Sequence, residues 1–202
     1  MANLTLGFLV SGRGSNMQAI IRACKEHKLD ATPAVVISNN ADAGALHIAR
    51  QENLPAYHLS RNTHPGADQL DDVITQTLNR HGVNLVILAG YMKKIRPGLL
   101  RAYRNRILNI HPSLLPKFGG RGMYGRRIHE AVLATGEKVT GVTVHLVDAE
   151  YDGGLILAQR QVPVEPGDSV ESLAARVLEV EHKVYVEVLQ DISKGKIILP
   201  AS

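Results

Sequence analysis

Short, near-continuous apolar runs, each followed by a segment of helical periodicity, recur along this chain and restrict its fold more than any other feature. The run Leu4-Thr-Leu-Gly-Phe-Leu-Val10 has the composition of a parallel strand covered on both faces, and residues 32–38 and 84–90 repeat it. Between these runs lie helical patterns: one from Met17 through Ile20, Ile21 and Cys24, one over 42–52 with Asp42 as its cap, and one over 68–81. The last carries Leu70, Val73, Ile74 and Leu78 as an apolar stripe. A shorter strand at 56–59 and a short helix beginning near Pro97 complete the first half. The second half predicts strands at 107–110, 138–147 and 155–163 and helices over 126–135 and 170–190, the latter capped by Asp168 or Ser169. Its buried side would be Leu173, Val177, Val180, Val184 and Val188, and the alternating tail from Ile192 is expected to add an edge strand. The alternation implies an α/β fold, a doubly wound, mostly parallel sheet with helices on both faces and right-handed crossovers.

A length of 202 residues suits one domain spanning 1–202, and 45% hydrophobic with 21% charged residues is ordinary globular composition. The net charge of +4 favours anionic ligands but is too mild and dispersed to argue for nucleic acid. Even the basic stretch from Arg121 to Arg127 is interrupted by Gly122, Met123, Tyr124 and Gly125. The single cysteine, Cys24, falls on a helical stripe, excludes an internal disulfide framework and fits a reducing cytoplasm. No secretory signal and no membrane-length apolar stretch is visible. The chain is expected to act as a monomer or a homodimer.

Chemistry concentrates at Ile107-Leu-Asn-Ile-His-Pro-Ser-Leu-Leu-Pro116. A residue before proline is driven into extended backbone, so His111 sits at a strand tip, and Asn109, two residues earlier, points the same way. An amide and an imidazole then lie at the carboxyl end of a strand, where open α/β sheets bind ligands, although a solvated polar strand end reads equally well from these residues alone. Downstream, Asp148-Ala-Glu-Tyr-Asp-Gly-Gly154 brings a carboxylate into a loop between two apolar strands. Asn109, His111 and Asp152 together suit acyl-type chemistry without a covalent nucleophile: the carboxylate orients the imidazole and favours its protonated form, and the amide donates to an oxyanion. His111, His145, Asp148 and Asp152 match no compact metal signature and have no Cys partner, so no metal is expected. After the first strand, Ser11-Gly-Arg-Gly14-Ser15-Asn16 leads into a helix. It is either a plain tight turn or an anion cradle of free amides with two side-chain donors. It lacks the third glycine of a dinucleotide fingerprint.

With Asn109-Ile-His111-Pro-Ser-Leu-Leu-Pro116, Asp152-Gly-Gly154 and Gly14-Ser15-Asn16 in view, the chain resembles the glycinamide ribonucleotide formyltransferases from about Leu4 to Leu189. The resemblance implies a Rossmann-like formyltransferase fold and transfer of a formyl group from 10-formyltetrahydrofolate to the amine of 5-phosphoribosylglycinamide in purine synthesis. It implies small-molecule substrates, no membrane partner, and catalysis by Asn109, His111 and Asp152. It places the substrate's phosphate on Gly14, Ser15 and Asn16 and its sugar on Glu181. Taken alone, Glu181 is a solvated helix charge. It also makes Met92, Lys93, Lys94 and Ile95, with Asn109, the folate side of the pocket. By themselves Met92 and Ile95 could equally be core, and the Lys93-Lys94 pair stands where relatives carry a single basic residue. In the glycine-rich segment 117–125, Gly119 replaces a proline common in the family, and no functional residue is expected there. His129, on the following helix, is expected on the surface. Related enzymes that act on methionyl-tRNA or hydrolyse formyltetrahydrofolate carry an added domain, which this length does not accommodate.

Overall fold

A computed structural model describes residues 4–201. Seven strands form one sheet: β1 (Leu4–Val10), β2 (Ala31–Ser38), β3 (Ala56–His58), β4 (Leu85–Leu88), β5 (Ile107–His111), β6 (Val139–Leu146) and β7 (Ile156–Pro163). Their order is β3-β2-β1-β4-β5-β6-β7. The pairings from β3 through to β5 are parallel, while β6 runs antiparallel to β5 and β7 antiparallel to β6. The chain first winds outward from β1, then returns and winds outward on the other side from β4. The carboxyl ends of β1 and β4 therefore flank the crevice where such sheets take ligands.

Six helices cover the sheet: α1 (Ser15–Lys25), α2 (Gly44–Gln51), α3 (Ala67–Arg80), α4 (Pro97–Ala102), α5 (Arg126–Ala134) and α6 (Val170–Ser193). Strand alternation splits the core into two layers. Phe8, Leu85, Ile87 and Leu108 pack under α1, α2, α5 and α6 with Met17, Leu46, Val132, Val177 and Tyr185. Leu9, Val86, Leu88 and Ile107 pack on the opposite face under α3 and α4 with Ile74, Leu78 and Leu99. Every residue of β4 is buried, which is why its sequence shows no alternation. Buried Tyr185 of α6 donates its hydroxyl to the carbonyls of Leu88 (3.2 Å) and Leu108 (3.0 Å), tying that helix to the strand ends below the crevice.

Beyond shifts of a residue or a few at element ends, a helix cap and the tail depart from the sequence expectation. Asp42 does not cap α2, which starts at Gly44 after Ala43 with no side-chain cap. The Asn40 side chain takes the Asp42 amide at 3.3 Å, and this turn uses up the residues that would have begun the helix. Among the described residues the tail adds no strand. Helix α6, opened by the Ser169–Ser172 capping box, runs on to Ser193, and the chain then crosses to Asn105 and Arg106, whose side chains donate to the carbonyls of Ala201 and Pro200.

Candidate active site

Strand β5 ends in the His111-Pro112 step, and its antiparallel pairing with β6 sets Asn109 opposite His145 and His111 opposite Thr143. The His145 Nδ1 lies 2.8 Å from the Leu146 carbonyl, which can only accept, so Nδ1 carries a proton. In the neutral ring Nε2 is then an acceptor for the Asn109 amide nitrogen at 3.1 Å. That contact uses one of the two Asn109 amide hydrogens and leaves the other for a ligand.

The segment 148–154 brings in Asp152. Glycine is required at 154, because a Cβ there would overlap the Leu146 carbonyl oxygen. Asp152 itself adopts φ 54, a left-handed conformation that Asp tolerates better than most residues. Its Oδ1 lies 3.6 Å from His111 Nδ1 and 3.6 Å from His145 Nε2, and its Oδ2 accepts from the Gly120 amide at 2.9 Å. Burial pushes the Asp152 carboxyl up, but His145, the His111 charge and the Gly120 amide outweigh it and hold the group below its ordinary value.

His111 is 4% exposed and donates from Nε2 to the Phe118 carbonyl at 2.8 Å. The expectation that Asp152 orients this ring needs correction, whereas Asp152 does pull the ring's pKa upward as expected, although burial outweighs that pull. At 3.6 Å Asp152 is a charge partner rather than a hydrogen-bond acceptor, and the orienting bond comes from Phe118. Burial is the larger influence on the ring and lowers its pKa, against the opposing pull of Asp152 and Phe118 and with a smaller lowering from His145.

At the other end of the crevice, Gly14 (φ 80) ends the β1 turn and opens α1, where an added Cβ would lie 2.6 Å from the Ala45 Cβ. Ser15 and Asn16 start the helix, whose first amides have no intrahelical acceptor. Buried Asn16 donates to Glu181 Oε2 at 2.6 Å, while its own Oδ1 has no partner among the described residues. Glu181 is not a solvated helix charge: it is 8% exposed, and burial raises its pKa to about 7, with Asn16 pulling the other way.

One cavity of about 470 Å³ collects Asn16, Glu181, Asn109, His111, His145 and Asp152. Met92, Lys93, Lys94 and Ile95 line it too, whereas Gly14 and Ser15 are not among its lining residues. Met92 is 51% exposed, so it is not core, while Ile95 is buried. Lys94 Nζ stands 5.1 Å over the Tyr151 ring, a cation–π contact across the cavity mouth. The backbone amide of Met92 donates to Ser11 Oγ at 2.8 Å, and Ser11 in turn donates to Asn39 Oδ1, so the segment 91–96 is tied to the β1 turn. A neighbouring cavity of about 700 Å³ shares Tyr91, Lys93, Lys94 and Ile95 but contains none of Asn109, His111 and Asp152. Among the described residues no cluster of three or more His, Cys, Asp or Glu side chains is placed to hold a metal ion.

Sequence reasoning missed the contributions of the segment 117–125, because Phe118 and Gly120 act through main-chain atoms, which leave no residue-type signal. It also misplaced His129, which is 5% exposed rather than on the surface of α5. Burial, then the His111 charge, lowers the pKa of His129, and its Nδ1 has no partner among the described residues. The adjacent Ile128 and the Val132 one turn on, both fully buried, were the available hint.

The formyl transferase family model matches residues 5–189. The chain is 43% identical to the chloroplastic phosphoribosylglycinamide formyltransferase of Vigna unguiculata over 96% of its own length, spanning 62% of that relative. It is 40% identical to the phosphoribosylglycinamide formyltransferase of Haemophilus influenzae, covering 96% of this chain and 89% of the relative. The crystal structure of glycinamide ribonucleotide transformylase 1 from Symbiobacterium toebii superposes with a TM-score of 0.91 at 41% identity, covering 98% of this chain and 91% of that one. A family model matching most of the chain, and relatives at least 40% identical over 96% of it, leave one conclusion: the chain belongs to the formyl transferase family.

Proposed function

We propose that this chain transfers a formyl group from 10-formyltetrahydrofolate to the amine of 5-phosphoribosylglycinamide, by direct attack through a tetrahedral intermediate, in de novo purine biosynthesis. The observation that carries this reading is the meeting of Asn109, His111 and Asp152 in the cavity that also holds the Asn16–Glu181 pair. A donor amide, a titratable ring and a carboxylate are what acyl transfer to an amine requires, and an anion-binding turn beside them suits a phosphorylated acceptor. A reducing, cytoplasmic setting and one domain over 1–202 accompany the proposal.

The folate co-substrate supplies the formyl carbon, and the residues do the rest. Asn109 gives its free amide hydrogen to the formyl oxygen as that oxygen gains charge. His111 works through Nδ1, since Nε2 is committed to Phe118. Burial favours the neutral ring, so Nδ1 takes the proton shed by the attacking amine rather than holding one beforehand. The resulting imidazolium faces the negative oxygen, and Asp152 offsets its charge. As the bond from carbon to N10 breaks, His111 passes that proton to N10. One N–H bond is lost at the amine and one forms at N10, and no other proton is needed. Gly14, Ser15 and Asn16 hold the phosphate and Glu181 takes a sugar hydroxyl. Ile95 and Met92 cover the folate ring, and Lys93 and Lys94 attract its carboxylates.

The deciding assay mixes the protein with both substrates and follows release of tetrahydrofolate. Release that depends on 5-phosphoribosylglycinamide supports the proposal. Equal release with water as the acceptor, or none with either, overturns it.

A further inference from the structure

Segment 117–125 is a part of the sequence from which no functional residue was expected, yet two of its main-chain groups touch the two ionisable catalytic side chains. The Phe118 carbonyl receives His111 Nε2–H at 2.8 Å, and the Gly120 amide gives to Asp152 Oδ2 at 2.9 Å. Phe118 holds φ 55, a left-handed conformation that non-glycine residues seldom adopt. Its carbonyl reaches the ring from that conformation. Gly119, between the two contacts, has Leu115 and Asp152 against the position of a Cβ, so the segment is closely packed there. It is also anchored from below, where Ser113 Oγ donates to the Lys117 carbonyl at 2.7 Å.

We propose that the main chain from Phe118 to Gly120 is a positioning element for the reaction, in which the left-handed Phe118 residue aims its carbonyl to fix His111 as the Nε2–H tautomer while the Gly120 amide sets the facing carboxylate. The inference rests on the catalytic roles given to His111 and Asp152 above. Its physical logic is that of any imidazole whose second nitrogen is held by an acceptor: the held nitrogen keeps its proton, and the other becomes the one that exchanges protons. The charged or titratable groups facing the His111 ring are Asp152 from the 148–154 segment, His145 from β6 and His129 from α5. A neutral ring with its proton on Nδ1 would point Nε2 electrons at the Phe118 carbonyl, so that contact excludes this tautomer. Asp152 alone would favour it, by drawing a proton to the side that must stay free to accept one.

The test separates conformation from side chain. Phe118→Val keeps an apolar residue but, being β-branched, disfavours the left-handed region, whereas Phe118→Asn gives up the ring and tolerates that region. Nitrogen-15 shifts of the His111 ring, read in the free protein, report its tautomer without any substrate. The parent and Phe118→Asn proteins should show neutral His111 protonated at Nε2, and Phe118→Val a mixture of tautomers. With both substrates, Phe118→Val should lose about tenfold or more in kcat with KM for each within about twofold, the scale of a misdirected general base. The Asn variant should recover most of that loss. Should the Val protein not fold, Phe118→Thr carries the same comparison, since it too is β-branched and disfavours the left-handed region. A pure Nε2–H tautomer with parent kcat in the Val protein overturns the proposal. Equal loss in the Asn and Val proteins overturns it too, because the aromatic side chain would then be what matters. A fixed tautomer in a protein that transfers no formyl group would leave the tautomer assignment standing and sink the catalytic reading on which its use depends.

Discussion

His111 is buried against its own charge, and that decides the direction of its pH behaviour. Its folded pKa lies below the ordinary 6.5, and the proposed mechanism uses the neutral ring, so kcat should hold at neutral pH and fall as pH drops through a value under 6.5. A kcat that instead fell as pH rose through this region would make the protonated ring the starting form and overturn the assignment. Replacing His111 or Asn109 with Ala should cost on the order of 10²-fold or more in kcat, the usual scale for a general base or oxyanion donor. Near-parent turnover in either variant would remove that residue from the chemistry. Glu181 behaves differently because burial raises its pKa from 4.5 to about 7. In that window the folded chain holds a proton that the unfolded chain has released. Stability should therefore fall as pH rises from about 4.5 to 7 and level off above. Glu181→Gln carries no such charge and should flatten the slope in denaturant titrations. A slope unchanged by the substitution would show that the folded carboxyl titrates normally.

Elements translate these side chains into a site, and their legibility was uneven. β1 and β4 announce themselves because a strand covered on both faces has no room for polar alternation, and α6 because its apolar positions recur with helical period. Asn109 and His111 were readable as neighbours from strand period and the His-Pro step. Asp152 was grouped with them for its chemistry, but its distance from them was not readable, since only the return of the chain past Leu146 brings it there. Asp42 failed as a cap because Asn40, with the same capping chemistry, came first in the chain and took its amide. Gly154 carries an element-scale prediction. Gly154→Ala places a methyl group on the Leu146 carbonyl oxygen, and the backbone must shift to relieve it. A displaced 148–154 segment takes Asp152 with it, so this variant should lower kcat well beyond its effect on KM and reduce stability by about 1–3 kcal/mol. Parent kcat in a folded Gly154→Ala protein would show that the exact path of this segment is not needed for catalysis.

Across the whole molecule, the winding of the sheet makes one clasp from distant parts of the chain. Asn16, in the first turn of α1, meets Glu181, in the middle of α6, beside the switch between β1 and β4. Neither end of the clasp is complete: Asn16 Oδ1 is buried without a partner among the described residues, and Glu181 is held in a site that resists its charge. A sugar phosphate bound there would add donors to both groups and join α1 to α6 directly, so the acceptor substrate should stabilise the fold beyond what a surface ligand would. At a concentration of about 100 Kd the binding linkage is worth about 2.7 kcal/mol. For a chain of this size each kcal/mol moves Tm by roughly 2–4 °C, so a rise of about 5–10 °C is expected with 5-phosphoribosylglycinamide. Asn16→Ala should abolish most of that rise at the same ligand concentration, because it removes the residue that links the turn proposed to hold the phosphate to Glu181. The comparison with inorganic phosphate separates the two halves of the clasp. Phosphate engages the turn alone and should give a smaller shift, whereas the full substrate spans turn and helix. If the Asn16→Ala protein keeps the full substrate-induced rise in Tm, the phosphate and sugar of the substrate are held elsewhere, and the cavity's orientation must be reversed.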